Sequence, residues 1–507
     1  MRAGLPEQDG LLSLAWVFAS AARLSAGAGL AVAGLLNGCA VHEPRPAPEP
    51  VSAPAAFLPP ELESLHAELT PDRWWVAFGD RRLDDLQERA LSGNFSLAAF
   101  RDRLRAARAI VRRERSFLSP TLDASAFFEQ GYTDAGGLDD EPRIGASLLG
   151  AYELDVWGGI EAGADAAALR ALLAEEELTA AAVDLSARVA LTWYALVEQL
   201  AQRRLLDAQV ETNAKVLRVV EARFAGGAVR ASDVLRQRRL LESTREQRAT
   251  VRSSIETLEH ALLVLTGRSP TGTLFDESAT PPGLPELPPR PALGVPAELV
   301  RRRPDVRAAH LAVLAADRDL AVAIARRYPS VRLRLDASTV EDQVADLFDD
   351  WLALFGVDVI GPIFDGGRRE AAADAARAAR AERVSLYGEV ILAAFGEVVD
   401  AVARESARAE RIDRLGTQLD LARRTSERLN REYLNGDISY IDVLDALTTE
   451  QRLQRELVRA RSARIADRIG LHRALAGGWP GVVPPPDGLA SADASISRDP
   501  SGKERSP

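Results

Sequence analysis

The chain carries two copies of one unit, and the spacing between the copies limits what it can fold into. Two turn sequences resemble each other: FAGGAVRASDVL at 224–235 and YLNGDISYIDVL at 433–444. Asp233 and Asp442 within them stand 209 residues apart. Pro120 in SPTLDAS and Pro329 in YPSVRLR repeat that offset. A heptad stripe does so too. Leu206, Val210, Asn213, Leu217, Val220 and Phe224 are matched 209 residues later by Leu415, Leu419, Ala422, Ser426, Leu429 and Tyr433. Three matches at one offset indicate a tandem duplication of a unit of about 200 residues.

Each unit has the same plan. The first predicts a helix at 82–118, strands at 121–130 and 145–156, and a proline-free helix at 160–223. A Gly-Gly turn at 226–227 stops that helix, and a return helix follows at 232–266. The second predicts a helix at 298–327, strands at 330–338 and 351–361, and a long helix at 368–433. A turn at Asn435-Gly436 and a helix at 440–475 complete it. At 1.5 Å per residue the 160–223 helix is roughly 95 Å long. Helices of that length must pack their heptad stripe on other helices. Their polar faces, such as 423–428, must meet water.

The strands alternate. In SVRLRLDAS, Val331, Leu333 and Leu335 share one face, and Arg332, Arg334 and Asp336 share the other. In a soluble sheet this means a core face and a wet face. In an outer-membrane barrel it means lipid outside and a polar lumen, over roughly 10 residues per strand. Four strands cannot close a barrel, and open edges are not tolerated in lipid. Membrane strands would therefore require several chains in one barrel.

Other features narrow the function. After residue 39 no unbroken apolar run reaches the roughly 18 residues of a spanning helix. A net charge of −11 argues against nucleic acid as partner. The five histidines, at 42, 66, 260, 310 and 472, are scattered, and neither a metal nor a cofactor is expected. No nucleophile elbow or phosphate loop occurs, so an enzyme is not expected. Arg301-Arg302-Arg303 before Pro304 reads as a surface or salt-bridge cluster at a helix start.

Cys39 is the single cysteine. Before it runs the uncharged stretch LSAGAGLAVAGLL at 24–36, of signal-peptide rather than membrane-span length. Leu36-Asn37-Gly38-Cys39 resembles a bacterial lipobox, which implies cleavage before Cys39 and its lipidation. Ala40 next to it implies the outer membrane as destination. Residues 43–60, rich in Pro and Ala, read as an extended tether.

The whole chain resembles the bacterial outer-membrane efflux factors of the TolC and OprM type, lipoprotein branch. The resemblance rests on WWVAFGDRRLDDLQERAL (74–91), YELDVWGGI (152–160), LVRRRPDVRAA (299–309), GPIFDGGRR (361–369) and YLNGDISYIDVLDA (433–446). These stretch from about 72 to 476 in the family's order. It implies a mainly α protomer with a transmembrane β part. Three copies give four strands each to a twelve-stranded β-barrel, and their long helices form a periplasmic α-barrel. It also implies a periplasmic adaptor and an inner-membrane pump, of RND type, as partners. Gly158-Gly159 and the glycines of GPIFDGGRR then lie where strand gives way to helix. TolC-like gates use an arginine at the position of Ile438, so no arginine latch is expected there.

The organisation that follows is a signal peptide at 1–38 and a lipid-anchored tether at 39–71. The first repeat covers 72–268, an equatorial linker 269–297 and the second repeat 298–476. An equatorial end and disordered tail fill 477–507. Three sites are expected besides Cys39. Asp442 and Asp445, spaced i, i+3 on one helix face, would ring a periplasmic opening when repeated by symmetry. The turns at Gly227 and Gly436 would receive the adaptor. The competing readings are a coiled-coil periplasmic adaptor or scaffold lipoprotein, which leaves the four strands unexplained, and a periplasmic enzyme, which lacks a catalytic constellation.

Overall fold

The structure, a computed structural model, describes residues 41–54, 73–130, 142–271, 283–293, 296–347 and 349–475. Cys39 and the signal-peptide segment lie outside them. Eight α-helices and four strands are found among the described residues: α1 (Arg81–Gly93), α2 (Phe95–Ser116), β1 (Thr121–Glu129), β2 (Arg143–Leu154), α3 (Gly159–Ala225), α4 (Ala231–Leu265), α5 (Pro296–Arg302), α6 (Pro304–Ala325), β3 (Ser330–Glu341), β4 (Leu352–Ile360), α7 (Arg368–Asn435) and α8 (Tyr440–Ala474). The duplication is carried by the backbone. Both ends of α2 and α6, and both ends of α4 and α8, stand 209 residues apart, as do the first residues of α3 and α7.

Two helices expected to be continuous are broken. The 82–118 segment divides at Asn94. There the side-chain Oδ1 accepts from the Leu97 N–H at 3.0 Å, a cap, while Nδ2 donates to the Leu265 carbonyl at 2.9 Å. The 298–327 segment divides at Arg303, because Pro304 occupies the first position of α6 and disfavours helix in the residue before it. Arg303 is buried and donates to Asp305, to Glu397 at 2.8 Å and to the Ala474 carbonyl at 3.1 Å. Part of the arginine run is thus internal, where Arg303 forms the salt-bridge cluster that was one of its two expected readings.

The chain divides into two compact units, each drawing on both repeats. One is built from Arg103–Ala174 and Ala308–Gly388 with the described residues up to Pro50. It holds an antiparallel sheet in the order β1-β2-β3-β4. Its register sets Thr121 opposite Ala151, Ala151 opposite Arg334 and Arg334 opposite Gly356. Residues that face each other share a side of the sheet, so the two faces expected from SVRLRLDAS can be followed across all four strands, although in β4 Leu352, Leu354 and Ile360 lie on the side of Arg332 and Arg334. One face carries Asp123, Ser125, Glu153, Arg332, Arg334 and Asp358, with Phe127 and Leu149 among them. The other carries Leu122, Phe128, Leu148, Leu333, Phe355 and Val357. Among the described residues the outer strands leave this face open, with Phe128 65% and Phe355 71% exposed, whereas Thr339 on the same face is buried.

Both expected strand-to-helix turns are present. Gly158 has φ 69°, and Gly366 and Gly367 have φ 65° and 82°, values that favour glycine. Asp155 caps α3 by accepting from the N–H groups of Ile160 (2.9 Å) and Glu161 (2.7 Å). Asp365 accepts from Gly367 and Arg369 before α7.

The other unit is helical and holds the large aromatic core. The Trp74 indole stacks on His472, with ring centres 5.3 Å apart, and donates to Ser186 Oγ at 3.3 Å. Trp193 donates to Asp80 Oδ2 at 2.7 Å. A buried ion pair joins α8 to α7: Arg468 donates to both Glu405 oxygens. The same guanidinium donates to the Pro288 and Pro289 carbonyls, which fastens that connecting segment to the helices. Among the described residues, α3 is the one helix with an apolar window long enough to cross a membrane. Since 61% of that window is buried within the chain, it reads as a core helix.

Candidate functional site

The turns at the far ends of the two helix hairpins lie in the helical unit. Both long helices end in the same way. Gly227 N–H donates to the Phe224 carbonyl at 2.9 Å and Ala228 N–H to the Arg223 carbonyl at 2.9 Å. Gly436 N–H donates to Tyr433 (3.1 Å) and Asp437 N–H to Glu432 (3.0 Å). Each is a Schellman motif with glycine in the left-handed conformation, at φ 72° and 92°. Both glycines therefore have a backbone role. No atom outside the turn lies within 4 Å of where a Cβ would stand on either, so both positions are open to approach.

The hairpins pack through Val220, Val234, Tyr433, Tyr440 and Val443. Above this cluster runs a buried polar seam between α3, α4 and α8. Tyr440 Oη donates to Gln237 Oε1 at 2.5 Å. Gln237 Nε2 donates to the Asn213 carbonyl at 2.8 Å. Asn213 Nδ2 donates to Thr244 Oγ1 at 2.9 Å, and its Oδ1 accepts from Gln451 Nε2 at 2.8 Å. Burial raises the Tyr440 pKa well above the ordinary phenol value, with nearby Tyr433 and Asp233 adding to the rise. The phenol stays protonated and holds its donor role.

Asp442 and Asp445 are both exposed on the first turns of α8. Ser439 Oγ donates to Asp442 Oδ2 at 2.7 Å, which fixes one carboxylate at the helix start. The first repeat differs. Asp233 holds the position of Asp442, but Arg236 holds that of Asp445 and pairs with Asp233 at 2.9 Å. Only the second repeat has carboxylates at both positions.

An arginine does bind these tips, at a position that sequence reading missed. Arg223, in the last turn of α3, donates to the Tyr433 carbonyl at 3.0 Å and the Leu434 carbonyl at 2.9 Å. Its guanidinium lies 4.6 Å from the centre of the Tyr433 ring. The two carbonyls belong to the last turn of α7, where no intrahelical donor remains. The partners are 210 and 211 residues apart, so the one local signal was a basic residue near a helix end. The matching position in α7 is Glu432, so the contact runs one way. Among the described residues no group of three or more His, Cys, Asp or Glu could hold a metal.

A two-faced sheet with bare edges, joined to helix hairpins of this length, fits a channel-forming protein of the outer membrane. The family comparison agrees, and the chain belongs to the outer membrane efflux protein family, whose profile matches residues 86–268 and 295–477. It is 29% identical over 463 residues to the pyoverdine export outer membrane protein OpmQ of Pseudomonas aeruginosa, covering 88% of this chain and 95% of that one. It is 28% identical to the toluene efflux pump outer membrane protein TtgI of Pseudomonas putida, covering 79% and 86%. Against the cation efflux protein CusC of Escherichia coli the identity is 26%, covering 80% and 88%. Among solved structures, the outer-membrane channel OprN superposes with a TM-score of 0.79 at 25% identity, covering 87% of this chain and all of that one. VceC of Vibrio cholerae gives 0.74 at 25%, covering 81% and all of its chain. The chain is thus the outer-membrane duct of an efflux system, working with a periplasmic adaptor and an inner-membrane pump.

Proposed function

We propose that three copies close a twelve-stranded barrel in the outer membrane and that the helix turns form its periplasmic opening. The observation that supports this best is the sheet. Among the described residues its apolar face is exposed on the outer strands, and β1 and β4 leave both edges with unpaired backbone groups. Such edges are costly in hydrocarbon, and pairing with further copies removes them. Mass measurement of the detergent-solubilised protein tests the count: three chains are expected, and a monomer would sink the reading. Cys39 is cleaved and acylated in this account, adding a lipid anchor. The adaptor docks at the turns of Gly227 and Gly436, and the pump is of RND type. OpmQ, TtgI and CusC are named for pyoverdine, toluene and cations respectively.

In this reading Asp442 and Asp445 from each copy surround the opening. Closely spaced carboxylates attract cations and repel one another as the opening narrows. Replacing both by Ala is expected to raise single-channel conductance in planar bilayers and to weaken block by divalent cations. If neither changes, the pair is a solvated helix face. For docking, Gly436→Trp is expected to keep the oligomer and lose crosslinking to the adaptor. Gly436→Asn, which tolerates a left-handed backbone, is expected to keep both. Normal crosslinking and export by the Trp variant would remove docking from this turn.

A further inference from the structure

We propose that β4 of one copy pairs antiparallel with β1 of the next in a single register, with Ser125 opposite Asp358 and Phe127 opposite Gly356. The proposal rests on the reading that copies close the barrel, and it names the seam between them. Three constraints select the register.

The first is the pleat. A shift of one residue would turn the apolar face of one copy to the polar side of its neighbour. Only every second register keeps Leu122, Phe128, Phe355 and Val357 on one surface.

The second is tilt. A level line through the sheet joins Thr121, Ala151, Arg334 and Gly356. The residue of the next β1 that meets Gly356 sets how far strands climb per four-strand unit, whatever the number of copies. With about 3.3 Å per residue and about 4.8 Å between strands, Ser125 at that place gives a tilt of about 35° and Phe127 about 46°. Asp123 gives about 20° and Glu129 about 54°. Membrane barrels tilt by roughly 35–45°, which leaves Ser125 and Phe127.

The third is side-chain chemistry. With Ser125 opposite Gly356, Asp123 would stand directly opposite Asp358, and like charges so placed are unfavourable. With Phe127 there, Asp358 meets the Ser125 hydroxyl, which can donate to it. The Phe127 ring already fills the place that a Cβ on Gly145 would take, and Gly356 would offer it a second gap across the seam. Arg334 lies 3.7 Å from the Cβ position of Gly356, within reach of the face of that ring. On the lipid side the same register sets Phe128 opposite Phe355, an aromatic cross-strand pair.

Two double variants separate the registers in the full-length protein in its membrane. Opposed Cα atoms lie about 4.5–5.5 Å apart, inside disulfide reach, whereas diagonal ones lie about 7–8 Å apart. Ser125→Cys with Asp358→Cys is expected to give covalent dimers and higher species on oxidation. Asp123→Cys with Asp358→Cys should give at least about tenfold less, and the single variants none. The opposite preference would place the register two residues away and overturn the proposal. No crosslink from either pair, in assemblies whose mass is oligomeric, would mean that these edges do not meet. A monomeric unmodified chain would instead overturn the barrel reading, and the seam with it.

Discussion

His472 shows what burial does to one side chain. It is 3% exposed, stacked on Trp74, and neither ring nitrogen has a hydrogen-bond partner. Burial is the main cause that lowers its pKa to about 4, with Arg468 adding to the fall and Glu405 opposing it. The folded chain therefore resists a proton that the unfolded chain accepts below about pH 6.5. The sign follows: its contribution is full above about pH 6.5 and is lost as pH falls toward 4, on the order of 3 kcal/mol in all. His472→Phe, an aromatic ring in an aromatic cage, is expected to flatten that part of the profile. Melting temperatures at pH 7.5 and 4.5 measure it. An unchanged slope in the variant would assign the acid sensitivity to other groups. Sequence reading found His472 only as one of five scattered histidines, because nothing near it in the chain announces Trp74.

At the scale of elements, the ends of the hairpins depend on each other through Arg223. Its guanidinium supplies donors to two α7 carbonyls, those of Leu434 and of Tyr433, the latter shared with the Gly436 N–H. Arg223→Ala is expected to speed amide hydrogen exchange at residues 433–437 while exchange in the middle of α7 stays the same. Equal protection in the variant would show that the Schellman turn holds the tip unaided. Much at this scale was legible in advance. The long helices, their glycine turns and the 209-residue offset follow from period and turn chemistry, which are local. The break at Asn94 was not: its side chain reaches Leu265, 171 residues away. The break at Arg303 has a local cause in Pro304, and what the sequence hid is the burial of Arg303 against Glu397 and Ala474. The candidate site divides in the same way. Asp442, Asp445 and the two glycines are visible as spacing, whereas Arg223 and the Gln237–Asn213–Gln451 seam exist only once the hairpins have packed. Sequence alone also hid that Asp233 is already paired with Arg236, which leaves the carboxylate pair to the second repeat.

For the whole molecule, the question is what holds it in the outer membrane. The proposed anchors are independent. One is an acylated Cys39, and the other is the belt formed by the apolar face of the sheet. Their strengths differ in kind. A single acyl chain gives marginal, reversible binding, and even several chains act at one point. The face with Leu122, Phe128, Phe355 and Val357 buries apolar area in every copy, at roughly 25 cal/mol per Å². Leaving the membrane would return that face to water in every copy at once. Cys39→Ser is therefore expected to slow maturation, since processing at the lipobox needs the cysteine, yet the protein that does mature should stay in the outer-membrane fraction. Fractionation with a carbonate or high-salt wash, read beside the mass of the mature chain, checks both parts. Release of mature Cys39→Ser protein by the wash would show that the lipid is the anchor and that the sheet does not span the bilayer. That outcome would favour the scaffold lipoprotein, in which the two-faced sheet would need a protein partner to cover it.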